Sequence, residues 1–175
     1  MLMDHKKGGG LGEIRVEKTK LLRQVIAQVE ETLRRLGSGY AVAKQASLDS
    51  PHVMKSKREV TGIEASYLAN ALAGNIQERE FWLRTLRELR MPEAPERVAL
   101  GCVVGVGPAV GSVDSLYFIL PVCGGMEIPL DDGQGRVRVI TPSAPIAKGL
   151  LGKSLGQDVG SRRNREQPEY ISLLA

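Results

Sequence analysis

Met91-Pro92-Glu93-Ala94-Pro95-Glu96 divides the chain into two stretches with different patterning. Its two prolines stop a helix and stiffen the connection, because each lacks a backbone N–H and holds φ near −65°. Upstream, apolar residues recur at alternating spacings of four and three: Leu22, Ile26, Val29, Leu33, Leu36, Tyr40, Ala43 and Ser47. That spacing is the seam of a coiled-coil helix. Gly37 and Gly39 fall inside it. They predict a bend or a frayed turn, since each costs roughly 1 kcal/mol relative to Ala. The stripe stops at Leu48-Asp49-Ser50-Pro51-His52, where Pro51 biases Ser50 toward extended backbone. A second periodic segment over 59–90 turns Ala65, Leu68, Leu72, Ile76, Leu83, Leu86 and Leu89 inward, with Trp82 beside them. Glu78, Arg79, Glu80, Arg84, Arg87 and Glu88 face outward. Two such segments joined by a short polar break predict an antiparallel hairpin with arms of roughly 45 Å. The narrow seam favours a projecting hairpin over a bundle, whose helices carry a wider apolar face.

Downstream of the prolines the pattern changes to short β-rich runs at 98–106, 116–120, 126–130 and 136–140, with a last one at 169–174. Glycine and aspartate clusters such as Asp131-Asp132-Gly133 separate them. The segment 145–151 is the one candidate helix, and Ser143 is placed to cap it. The fold class expected is therefore α+β: a helical hairpin, then an antiparallel sheet with one short helix. The divisions are a glycine-rich lead-in at 1–12, the hairpin at 13–91 with its tip near 49–60, a linker at 92–97, and the sheet domain at 98–175.

Composition narrows the function. Hydrophobic residues make up 42% and charged residues 25% of the 175, as in a soluble globular protein. Aromatics are only 4%, too few for a base-stacking RNA-recognition sheet or an aromatic-lined isomerase pocket. A net charge of +4 permits an acidic partner without requiring nucleic acid. Cys102 and Cys123 lie apart in apolar segments, which reads as buried thiols in a reducing compartment rather than a zinc site. No apolar run approaches a bilayer span, and the first residues are charged and glycine-rich rather than leader-like; the expected location is cytoplasmic, without a membrane partner. No phosphate loop, dinucleotide fingerprint or nucleophilic triad is present, so no small-molecule substrate is expected.

Three segments, in order, carry a family resemblance: Gly62-Ile63-Glu64-Ala65-Ser66-Tyr67-Leu68-Ala69, then Tyr117-Phe118-Ile119-Leu120-Pro121-Val122-Cys123-Gly124-Gly125, then the run from Val137 to Gly152 containing Ile140-Thr141-Pro142-Ser143-Ala144-Pro145-Ile146-Ala147-Lys148-Gly149-Leu150-Leu151. Together they resemble a divergent branch of the bacterial Gre transcript-cleavage factors. The resemblance implies that the C-terminal half is an FKBP-like domain. It also implies that the partner is RNA polymerase, whose secondary channel the hairpin tip enters, so that the backtracked RNA 3′ end is met indirectly. Such a factor is an accessory rather than an enzyme. Acids at its tip help hold a catalytic Mg²⁺ jointly with the polymerase, which cuts its own RNA. No cofactor is intrinsic to the factor.

The chain departs from the family at the chemistry. With Tyr67 aligned to the tip tyrosine, Val60 and Ile63 stand where the two acids belong. Glu59 and Glu64 lie one residue outside those positions, and Asp49 lies across the turn. In a regular helix Glu59 and Glu64 point about 140° apart, so they share an ion only if the helix begins after Glu59 or the tip is irregular. Lys55, Lys57 and Arg58 make the tip basic, which opposes a second cation. Two readings stay open. In one, Glu59 and Glu64 act as catalytic and metal-holding acids. In the other, the tip enters the channel and modulates or inhibits the polymerase without cleavage. A coiled-coil adaptor for another partner is a third. The expected partner contacts are Lys55, Lys57 and Arg58 at the tip and Ser143, Pro145 and Lys148 on the C-terminal half.

Overall fold

A computed structural model of the chain describes residues 17–49, 57–130, 135–159 and 168–175, with 57–61 described by backbone alone. The lead-in at 1–12 and the tip residues 50–56, including Lys55, lie outside the described residues. Two compact units are present: Arg23–Glu88, and Leu89–Ala175 together with the start of helix α1 up to Leu22.

The first of these is the hairpin. Helix α1 spans Lys18–Leu48 and α2 spans Lys57–Glu88. α1 ends three residues before Pro51, and α2 ends at Glu88, whose carbonyl a continuing helix would drive into the Pro92 ring. The helices run antiparallel. Arg87 donates to the Glu30 carboxylate at 2.7 Å, and Leu72 approaches Gly39 so that a Cβ there would sit 3.6 Å from it. Within the unit Val25, Val29, Ala43, Ala69, Leu83 and Leu86 are buried. Four expectations change. α1 continues unbroken through Gly37 and Gly39; burial against a neighbouring helix outweighs their poor propensity. Val25, outside the predicted seam, is fully buried, so the apolar face is wider at that end. Leu68 is exposed and Ala69 takes the inward place. Ala43 on α1 is likewise a buried small residue. Arg79 also turns from the outward face to stack on Trp82, 3.9 Å from the ring centroid.

The Glu30–Arg87 pair is exposed at both ends, so it adds little to stability. Arg87→Ala is expected to lower unfolding free energy by at most about 0.5 kcal/mol, read by urea titration of Trp82 fluorescence.

The other unit is a five-stranded sheet with one helix. Its strands are β1 (Val103–Gly107), β2 (Ser115–Ile119), β3 (Glu127–Pro129), β4 (Arg136–Ile140) and β5 (Tyr170–Leu174), in spatial order β3-β4-β2-β1-β5. Helix α3 spans Pro145–Leu150. The fold class is α+β as expected, but the sheet is mixed rather than wholly antiparallel. β2 and β4 pair in parallel, Leu116 beside Val137 and Phe118 beside Val139. The intervening β3 turns back on β4 as a hairpin, and that double reversal brings β4 alongside β2 in the same direction. β1 begins at Val103 rather than at 98, because a turn closed by the Cys102 N–H to Ala99 carbonyl bond occupies the residues before it.

Both faces of the sheet bury apolar side chains, while Glu127, Arg136 and Arg138 at the β3–β4 end are exposed. On one, α3 presents Ala147 and Leu150 to Val104, Val106, Ile119, Ile140 and Ile171. The alternation along the strands puts Val103, Leu116, Phe118, Ile128, Val137 and Val139 on the other, and all are buried. β1 is buried at every position, as a strand with a neighbour on each edge and cover on each face should be.

Candidate functional site

The expected site residues fall in two places. On the hairpin, Lys57, Arg58 and Glu59 lie in the first turn of α2 and are described by backbone alone. Glu64 is exposed one turn further on. α2 is already helical at Lys57, before Glu59, so positions 59 and 64 lie about 140° apart around a regular helix. Positions five apart on a regular helix do not face one ion, and the Glu59 side chain lies outside the described residues. Among the described residues no group of three His, Cys, Asp or Glu side chains could hold a metal. Nor does the helix dipole reach Glu64. Its influence fades within the first turn, and Glu64 is seven residues past Lys57. Where the tip acids of the resemblance would stand, Ile63 projects into solvent, and Tyr67 is 72% exposed.

On the sheet unit, Ser143, Pro145 and Lys148 are all exposed within six residues of one another. Pro145 is at the first helical position of α3 and Lys148 follows three residues later, so they share a side of the helix. Ser143 does not cap α3. The cap residue is Ala144, with extended backbone and no side-chain hydrogen bond. The Ser143 hydroxyl instead lies 3.0 Å from that of Thr141. A proline at the first helical position makes the residue before it the cap, which displaces Ser143 by one.

One polar cluster escaped the sequence reading. Glu127 on β3 accepts from Arg138 at 2.8 Å and from Arg136 at 3.3 Å, both on β4. The hydrogen bond from Arg138, then that from Arg136, holds the Glu127 carboxyl below the usual carboxylate range. A lowered carboxyl pKa favours the folded state above the unfolded-state pKa, and that contribution is lost as pH falls through the folded value. All three groups are exposed, which keeps the contribution small. Alternation of Arg136 and Arg138 with Val137 and Val139 was the available signal.

Within the hairpin an open groove of about 670 Å³ is floored by Leu33 and Leu83 and rimmed by Glu30, Arg34, Glu80, Arg84 and Arg87. Both signs of charge line its rim, and Arg87 there is paired with Glu30.

The chain matches no protein-family model and no curated protein. Among solved structures it is similar to the crystal structure of GreA factor homolog 1 (Gfh1) of Thermus thermophilus, with 16% identity, a TM-score of 0.31, and coverage of 92% of this chain and 96% of that one. It is also similar to a structure of the transcription factor Gfh1, with 17% identity, a TM-score of 0.30, and coverage of 87% and 90%. Superpositions at this level decide neither fold nor function; the fold rests on the elements themselves.

Proposed function

We propose that this chain is a Gre-like accessory factor that binds bacterial RNA polymerase and modulates elongation without supplying an acid pair for transcript cleavage. The reading takes the cytoplasm as its place of action, with the hairpin end as the part that enters the secondary channel. Three matched segments in family order, on a helical hairpin followed by a small α+β unit, support the partner. The observation that carries the absence of cleavage is α2 itself. It is helical from Lys57, so positions 59 and 64 fall about 140° apart around it, and Ile63 is exposed where an acid would be needed. Arms of 31 and 32 residues give helices of roughly 45 Å. Ser143, Pro145 and Lys148 are exposed and available as docking contacts on the sheet unit. Among the described residues no helix is long and apolar enough to cross a membrane.

The test uses core polymerase stalled and backtracked on a template, with Mg²⁺. The expected result is co-elution of the chain with polymerase in gel filtration, slowed nucleotide addition, and no short 3′ RNA fragments. Fragments that disappear with Glu59→Ala or Glu64→Ala would replace this reading with the cleavage one. Neither co-elution nor any change in elongation would remove both and leave the adaptor.

A further inference from the structure

We draw no further inference here: the strongest candidate, the corner of the sheet where Arg136 and Arg138 on β4 lie exposed beside Glu127 on β3, carries nothing, because both guanidinium groups are already engaged by that carboxylate and nothing in the structure shows what covers them.

Discussion

Gly107→Ala is expected to unfold the sheet unit or leave it marginal. A Cβ on Gly107 would lie 2.0 Å from the Ser112 carbonyl oxygen and 2.6 Å from its carbon, so main chain must move. That main chain is tied down. The Ser112 N–H donates to the Ala109 carbonyl at 3.0 Å, and the Asp114 N–H donates to the Val106 carbonyl at 2.9 Å. The Ser172 hydroxyl donates to the Ala109 carbonyl at 2.9 Å and accepts from the Gly111 N–H at 3.1 Å. Opening the turn therefore also disturbs β5, where Tyr170 pairs with Gly107 itself. Losing three or four such bonds at about 1 kcal/mol each gives a loss of roughly 3–5 kcal/mol, against a typical total of 5–15 kcal/mol. Hydrogen exchange on peptides covering β1 and β5 is the suitable measurement. Tryptophan fluorescence is not, because the chain's one tryptophan, Trp82, lies in the hairpin. Protection of β1 and β5 equal to that of the parent would show that the turn can yield, and the argument from its ties would fail.

Much of this fold was legible because its two halves use different periods. The seam from Leu22 to Ser47 and the alternation of Arg136 to Ile140 each admit one kind of element, and β4 occupies the residues expected of it. Strand direction was not legible. Val137 and Val139 show which residues face inward, but the same alternation serves a parallel or an antiparallel neighbour. The exchange of Leu68 for Ala69 was hidden because propensity and hydrophobicity both favour leucine inward. At the site, the missing tip acids were visible in Val60 and Ile63. What the sequence left open was where α2 begins, and it begins at Lys57, before Glu59. The Ala144 cap, by contrast, was readable from Pro145 alone.

Phe118→Ala should cost about 3–5 kcal/mol, the range for removing a buried aromatic ring, while Phe118→Leu should cost less than about 1.5 kcal/mol. Phe118 is fully buried in β2, between β1 and β4, with Val103 beside it on one strand and Val139 on the other. Both neighbours are fully buried valines held by main-chain pairing, so they cannot shift far to fill the space a phenyl ring leaves. The residual cavity, added to the lost transfer energy, places the alanine variant at the costly end of such substitutions. Leucine restores most of the volume and keeps the core dry. Urea unfolding followed by far-UV circular dichroism reads both variants, with a fall in midpoint at unchanged slope as the expected form. A slope that also falls would mean that the alanine variant no longer begins from a packed sheet. A loss under about 1 kcal/mol for alanine would mean that the sheet closes over the gap, which a face pinned on both sides by paired strands does not permit.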